Sequence, residues 1–301
     1  MESRHETIGH ILAISTVIVW GATFVSTKVL LKHFTAEEIL FLRFSMGLIA
    51  LWLYKPQKVK MKEKSHYLYF IGASFTGLFL YYLCENIALG YGDASLIGVI
   101  VSSAPIFSGI LSAIFLKEKL SKNFFIGFAF AMIGLFLLSW TAESTGVKIL
   151  GIILAFAGAI SWAFYSILIR KITFFGYDSF EITKYTFLFA VIMMIPVAIS
   201  SGFRINAVIT MNLTVFLNLI FLGLIASALC FVTWSFAVKQ LGVVKSSVYI
   251  YASPVVTVIL AAIVLGERMN PQEILGTVLV LLGLVLSERQ IFKRKGKNND
   301  V

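Results

Sequence analysis

The residue best able to do chemistry in this sequence is a carboxylate set in an apolar segment. Glu85 lies in the run Tyr81–Asn86, which reads YYLCEN. In a helix, Tyr81 and Glu85 share one face, and Tyr82 and Asn86 share another. A carboxylate at such a position is costly to bury and can bind an amine or exchange a proton. The alternative is a structural hydrogen-bonding group near the end of the segment.

Two prolines also lie inside apolar runs. Pro105 and Pro254 each remove a helical hydrogen bond and should kink their helices, either to line a binding cavity or only to allow packing. Ser102 belongs to the same small, polar face as Pro105, with Gly98 and Gly109. Such a face either lines a cavity or lets another helix approach closely.

Large aromatic residues are the third candidate group. Trp20, Trp162, Tyr165, Trp234 and Tyr251 fall inside apolar runs rather than at their ends. In a cavity these rings would contact the apolar or cationic parts of a ligand. The alternative for each one is ordinary aromatic packing.

Arg43 and Lys184 are the remaining charges inside apolar runs. Each could contact a ligand directly, or could extend along its helix to reach the aqueous interface. Glu181 lies one turn before Lys184 and could pair with it.

The elements that position these residues follow from composition. Of 301 residues, 59% are hydrophobic and only 13% are charged, and the mean hydropathy is +0.92. A soluble domain carries about 25% charged residues. Composition therefore excludes an ordinary soluble enzyme, a disordered protein and a secreted disulfide scaffold, and it indicates a polytopic membrane protein.

Ten apolar runs are each close to the roughly 20 residues that cross a bilayer as a helix. They are Ile8–Leu31, Ala36–Tyr54, Tyr67–Leu89, Ala94–Leu116, Asn123–Trp140, Val147–Arg170, Phe180–Ser200, Leu213–Val238, Val243–Leu265 and Pro271–Ser287. If the N-terminus is cytoplasmic, 18 Lys and Arg residues fall in cytoplasmic segments and 5 in external ones. This bias predicts that both termini are cytoplasmic, and it accounts for the net charge of +10 without nucleic-acid binding.

The second half of the sequence resembles the first. At an offset of 142 residues Trp20 meets Trp162, at 146 Cys84 meets Cys230, and at 149 Pro105 meets Pro254. This predicts two five-helix repeats, residues 1–142 and residues 143–301, the second ending in a basic tail. Because five is odd, the repeats are inverted in the membrane, an arrangement typical of secondary transporters that alternate access to a midplane site. Matched glycines seven apart in runs five and ten predict close helix packing, between the repeats or in a dimer.

Several motifs of other functions are absent from the sequence. It contains no phosphate-binding G-x-x-x-x-G-K-[ST] loop, no H-E-x-x-H zinc motif and no G-x-S-x-G nucleophile motif. The two cysteines, Cys84 and Cys230, have apolar neighbours and are interpreted as packing residues. We therefore predict no catalytic residues, no metal site and no cofactor.

The order of these motifs resembles the EamA-type transporters of the drug/metabolite transporter superfamily over nearly the whole chain. The resemblance rests on the segment Trp20–Phe24, on Arg43, on Glu85 with Asn86, and on the two prolines followed by Glu118 and Glu267. It implies a basket-like helical fold with a central cavity, lined mainly by spans one, three, four, six, eight and nine. It also implies a bacterial cytoplasmic membrane and export of amino acids or other small metabolites.

The sequence as a whole predicts a secondary transporter of a small polar or amphipathic metabolite, amino-acid-like and exported. The bilayer and the substrate are its partners, and a proton is the candidate coupling ion at Glu85. The alternative is a non-transporting membrane subunit or a channel-like facilitator. Substrate identity, direction and the choice between monomer and homodimer stay open. The candidate cavity residues are Trp20, Tyr81, Tyr82, Glu85, Asn86, Ser102, Pro105, Trp162, Tyr165, Trp234, Tyr251 and Pro254.

Overall fold

The fold is taken from a computed structural model, which describes residues 2–57, 60–117, 122–145, 148–202 and 212–293. Within these ranges the backbone forms ten helical segments and no strand. The segments are α1 (Glu2–Leu30), α2 (Ala36–Tyr54), α3 (His66–Tyr91), α4 (Ala94–Phe115), α5 (Lys122–Thr145), α6 (Ile149–Phe174), α7 (Ser179–Ser200), α8 (Leu213–Leu241), α9 (residues 243–265) and α10 (Pro271–Lys293). They coincide with the apolar runs to within a few residues, apart from longer ends on α1, α5 and α10.

Six of these segments, namely α1, α3, α4, α6, α7 and α8, are long and apolar enough to cross a membrane. The second segment is not among them because it carries Glu37, Glu38 and Arg43 within 19 residues. In α5, α9 and α10 the described apolar stretches are shorter, 10 to 17 residues each. By length and composition the chain is thus an all-helical protein with at least six helices suited to a bilayer.

Helices of the two halves pack in matching pairs. α1 contacts α8 and α9, and the corresponding α6 contacts α3 and α4. α2 contacts α8, and the corresponding α7 contacts α3. These helices surround the centre of the molecule, whereas α5 packs mainly on α10 at its edge.

The α5–α10 contact depends on glycine. A Cβ atom at Gly134 would lie 2.5 Å from the carbonyl oxygen of Gly276, and one at Gly283 would overlap the backbone of Gly127 and Ala131. The two backbones can approach this closely only without side chains. Of the two predicted uses of these glycines, the structure shows contact between the halves.

Matching capping boxes begin α2 and α7. The Thr35 side chain accepts from the amide of Glu38, and the Glu38 carboxylate accepts from the amide of Thr35. Asp178 and Glu181 make the same reciprocal pair before α7. Each box satisfies amides that have no partner in the first turn of a helix. The Glu181 carboxylate is thus used in a cap, and Lys184 donates instead to the carbonyl oxygens of Lys55 and Gln57.

Widened turns interrupt α3 and α8 at nearly matching positions. Residues Ser74–Leu80 in α3 and Phe221–Leu229 in α8 form π-helical turns. Such turns are uncommon and often occur at functional sites. In both helices they immediately precede the part that contacts the centre of the molecule.

Both prolines lie where their helices are interrupted. The chain turns at residues 102–103, and Pro105 lies in the first turn of the second half of α4. In α9 a 3₁₀ turn over Val248–Ala252 precedes the helix Ser253–Leu260, and Pro254 lies in its first turn. At these positions the missing N–H removes no helical hydrogen bond. The predicted kink thus takes the form of an interruption of each helix immediately before its proline.

Candidate functional site

A small cavity lies at the centre of the molecule, where five helices from both halves meet. α1, α3, α4, α6 and α9 supply its wall. The lining residues are Val17, Trp20, Thr23, Phe24, Tyr81, Tyr82, Glu85, Val101, Ser102, Ala104, Trp162, Ile250 and Ser253. The wall therefore combines one carboxylate and several hydroxyls with aromatic and aliphatic surface, the composition expected of a small-molecule site.

The cavity is closed down in this conformation. Its volume is about 30 Å³, counted as space open to the centre of a water molecule. On that scale a single water needs about 10–15 Å³. The space holds a few waters but no metabolite, so a ligand could enter only after side chains or helices move apart.

Glu85 is the one acidic side chain on the cavity wall. It is 1% exposed, and its Oε1 atom has no hydrogen-bond partner among the described residues. The hydroxyl of Tyr81, one turn earlier on α3, lies close to the carboxyl group, and Arg43 is near enough for its charge to interact with it. An unpartnered buried carboxylate oxygen facing a cavity is suited to bind a cation or a proton.

Two tryptophans at matched positions of the halves form an aromatic part of the cavity wall. The rings of Trp20 and Trp162 meet edge to face with centroids 5.2 Å apart, and Tyr81 packs 4.9 Å from Trp162. The Nε1 atom of Trp20 donates to the carbonyl oxygen of Ala226 at 3.0 Å. That of Trp162 has no partner among the described residues. The Trp162 N–H is therefore a donor that a ligand could use.

Two further predicted aromatics stand behind this wall. Trp234 packs on Trp20 with ring centroids 5.1 Å apart, and Tyr165 packs on Trp162 at 4.8 Å. Both are 1% exposed and neither lines the cavity. They support the lining rings from behind.

Three of the other four predicted residues lie outside the lining of the cavity, and the fourth is Tyr251. Asn86 points to α2, where its amide donates to the carbonyl oxygen of Ala36 at 3.4 Å. Pro105 and Pro254 are buried beside the lining residues. The side chain of Tyr251 lies outside the described part of the chain.

Ser102 is the member of the small face of α4 that reaches the cavity. Its hydroxyl donates to the carbonyl oxygen of Gly98 at 2.7 Å, which leaves the oxygen lone pairs as acceptors. Gly98 itself faces Thr257 of α9, and Gly109 faces Phe124 of α5. Most of this face therefore serves helix packing.

The site also contains residues that sequence reasoning did not place there. Thr23 and Phe24 line the cavity, and both follow Trp20 in a segment noted only for its family resemblance. Ile250 and Ser253 come from the interrupted part of α9. Nothing in their types marks them, since small and aliphatic residues fill the whole chain.

Arg43 differs from the expectation that it reaches the interface. It is 0% exposed at the centre of the molecule, with its guanidinium carbon 4.3 Å from the centroid of the Tyr82 ring. Its Nε atom donates to Ser227 of α8 at 3.0 Å.

Among the residues the structure describes, no cluster of His, Cys, Asp and Glu could hold a metal ion.

Comparison with known proteins gives a family match in each half. The model of the EamA-like transporter family matches residues 7–140 and again residues 149–289. A crystal structure with 18% sequence identity superposes with a TM-score of 0.67 and covers 97% of this chain and 99% of its own. This likeness shows that the fold is shared.

Three curated relatives span almost the whole chain. An uncharacterized transporter of Archaeoglobus fulgidus is 26% identical over 281 residues, covering 92% of this chain and 96% of the relative. A probable amino-acid metabolite efflux pump of Salmonella typhimurium is 28% identical over 285 residues, covering 92% and 93%. A probable terminal-alkyne amino-acid exporter of Streptantibioticus cattleyicolor is 24% identical over 283 residues, covering 93% of each chain.

Proposed function

Because this chain belongs to the EamA-like transporter family, we propose that it is a secondary transporter that exports a small polar or amphipathic metabolite, amino-acid-like in chemistry. Family membership and the membrane-spanning helices make it a multi-pass membrane transporter. The substrate class, the direction and the cytoplasmic membrane are the proposed part. Relatives named as an amino-acid metabolite efflux pump and as an amino-acid exporter support the direction and the class.

The observation that carries the proposal is the central cavity. It joins a buried carboxylate oxygen without a partner, on Glu85, to an aromatic wall made by Trp20 and Trp162. A carboxylate can hold an amine and the rings can hold the apolar part of the same molecule. These features suit an amphipathic metabolite.

Alternating access between two repeats is the proposed mechanism. Two separate family matches, matched capping boxes and matched π turns support a first repeat over residues 1–142 and a second over residues 143–301. We propose that all ten segments cross the membrane, that the repeats are inverted, and that both termini are cytoplasmic. Inverted repeats can exchange conformations and so open a shared site to either side in turn. The closed cavity is consistent with a state between the two openings.

Glu85 is the proposed coupling group. A carboxylate that is protonated when the cavity faces one side and ionised when it faces the other would link proton entry to metabolite exit. The same oxygen can hold the substrate amine when it is ionised.

The test is transport by purified protein in liposomes. Vesicles loaded with a pool of amino acids and small metabolites are given a pH gradient, and efflux is followed by mass spectrometry for wild type, Glu85→Gln and Glu37→Gln. The last variant removes a similar charge from the first turn of α2, away from the cavity. We expect selective, gradient-driven efflux that is at least tenfold slower in Glu85→Gln and unchanged in Glu37→Gln.

Other outcomes would revise the proposal in distinct ways. Selective efflux that ignores the pH gradient would make the protein a facilitator. Equal rates in wild type and Glu85→Gln would remove Glu85 from the mechanism. If folded protein moved no compound of the pool, the proposed substrate class would be wrong.

A further inference from the structure

Arg43 is a charged group whose burial the rest of the structure does not explain. It is 0% exposed, and Nη1 and Nη2 have no hydrogen-bond partner among the described residues. Its Nε atom donates to the Ser227 hydroxyl, and the Tyr82 hydroxyl lies near the guanidinium. A guanidinium offers five N–H donors in a planar fork that matches a carboxylate.

The neighbours of Arg43 compensate its charge only in part. The rings of Tyr82 and Phe44 lie 4.3 Å and 5.4 Å from the guanidinium carbon and give a cation–π attraction. Desolvation of a buried ion costs more than such contacts return, unless the ion is also paired and hydrogen-bonded. The four N–H groups on Nη1 and Nη2 therefore remain available to an anionic partner.

Tyr82 separates Arg43 from the cavity. Its ring lines the cavity and also lies against the guanidinium, whereas Arg43 itself does not line the cavity. Because the closed cavity is too small for a metabolite, wall side chains must move when one binds. Movement of the Tyr82 ring would extend the cavity to the fork of Arg43.

Glu85 is the negatively charged group of the same site. Its Oε1 atom is unpartnered, as are the two terminal nitrogens of Arg43, and the two charges are close enough to interact. The site thus offers one negative and one positive group, each with unused hydrogen-bonding capacity. A ligand with one ammonium and one carboxylate group would satisfy both.

We propose that Arg43 is the carboxylate-binding residue of a zwitterion site, in which Glu85 and the surrounding rings hold the ammonium group and Tyr82 covers Arg43 until the substrate arrives. This inference rests on the proposed function and narrows its substrate class to compounds that carry both an amine and a carboxylate. Because the guanidinium fork matches a carboxylate, a substrate without a carboxylate leaves the buried charge unpaired and binds more weakly.

The first experiment compares complete and truncated ligands on wild-type protein. Two matched sets are used: leucine with 3-methylbutylamine and 4-methylpentanoate, and phenylalanine with 2-phenylethylamine and 3-phenylpropionate. Binding to the detergent-solubilised full chain is measured by isothermal titration calorimetry. We expect at least one amino acid to bind at least tenfold more tightly than its amine and its acid.

The second experiment assigns the carboxylate to Arg43. Arg43→Gln should lose at least tenfold in affinity for the amino acid and less than threefold for the amine, so that the preference between them disappears. Arg43→Lys keeps the charge without the fork, and its affinity for the amino acid should lie between those of wild type and Arg43→Gln. Arg268→Gln, an exposed arginine after α9, is the matched control and should bind as wild type does.

The outcomes separate this inference from the proposed function. If wild type binds amine and amino acid equally well, or if Arg43→Gln weakens both equally, Arg43 is structural and the inference is wrong. If the protein in liposomes exports a metabolite that has no carboxylate, the proposed transporter function is supported and the inference of a zwitterion site is wrong. If Arg43→Gln does not fold, the wild-type ligand series and Arg43→Lys still decide the question.

Discussion

α3 and α8 occupy matching places in the two halves. Their backbone conformations are similar, but their side chains differ in chemistry. Both contain a π-helical turn followed by a regular helix that reaches the centre. At the offset of 146 residues, Tyr81 corresponds to Ser227 and Glu85 corresponds to Phe231. α3 thus gives the cavity a carboxylate and a phenol, whereas α8 gives Arg43 a hydroxyl and gives the aromatic cluster a ring.

This difference separates two requirements of the molecule. The matched backbone features are those that an exchange of conformations between halves would need. The unmatched side chains supply charge on one side of the cavity and apolar support on the other. Substitutions at matched positions should therefore test whether the halves are equivalent in packing, in polar contacts and in their caps.

The largest expected effect concerns a matched pair of glycines in the π turns. A methyl group at Gly77 would overlap the ring of Tyr165, which is wedged against Trp162, whereas one at Gly223 would lie 2.8 Å from the Cβ atom of Met46. Overpacking costs about 1–3 kcal/mol in well-packed cores. We expect Gly77→Ala to reach the upper end of this range and Gly223→Ala the lower end, measured by thermal unfolding in detergent. Equal losses would mean that the two turns are packed alike.

The two tryptophans should differ in what they contribute. Trp20→Phe removes the hydrogen bond from Nε1 to the carbonyl oxygen of Ala226, and such a bond contributes about 0.5–1.5 kcal/mol. Trp162→Phe removes an N–H that has no partner among the described residues, so stability should fall less. Each variant loses the same ring volume and controls for the other. We expect Trp162→Phe to slow transport while lowering the free energy of unfolding less than Trp20→Phe does. An equal loss of stability in both variants would contradict this.

Substitutions in the capping boxes should cause the smallest loss of stability, and for one of them the loss should depend on pH. The Asp178 carboxyl, before α7, is partly buried, which raises its pKa, but hydrogen bonds from Lys55 and from backbone amides outweigh burial and lower the pKa overall. Its contribution to stability is therefore complete above the ordinary pKa of about 4 and is lost as the pH falls through the lower folded value. Asp178→Asn keeps a capping side chain and should cost about 0.5 kcal/mol at pH 6, since the side chain is 47% exposed.

The box before α2, whose cap residue Thr35 is uncharged, is the comparison for this effect. Thr35→Ala should cost about 1 kcal/mol through its lost cap, and the cost should be the same at pH 6 and pH 3 because a hydroxyl does not titrate. The cost of Asp178→Asn should instead become smaller as the pH falls from 6 toward and below 3, because the carboxyl is protonated through its lowered folded pKa. Thermal unfolding of both variants and wild type across this range measures the two differences. A cost of Asp178→Asn that does not change with pH would show that its charge contributes nothing.

The pattern of apolar residues was enough to predict the helices and the class of protein. Each apolar run became a helical segment because unbroken apolar stretches of this length have few other stable conformations in a bilayer. Matched residues at shifting offsets indicated the two halves before any contact was known. Glu85, Trp20 and Trp162 could be singled out because a charge or a large ring in an apolar run needs a partner.

Which of the candidates face the cavity depends on how the helices pack together. Helical spacing tells which residues share a face but not what that face meets. It could not show that Trp234 and Tyr165 stand behind the lining rings. Nor could it show that each helix is interrupted just before its proline. Arg43 is the clearest case, since its hydroxyl partner lies 184 residues away on α8. Whether a buried charge reaches water or stays at the centre depends on how helices from both halves pack around it, and that packing joins residues that no local pattern connects.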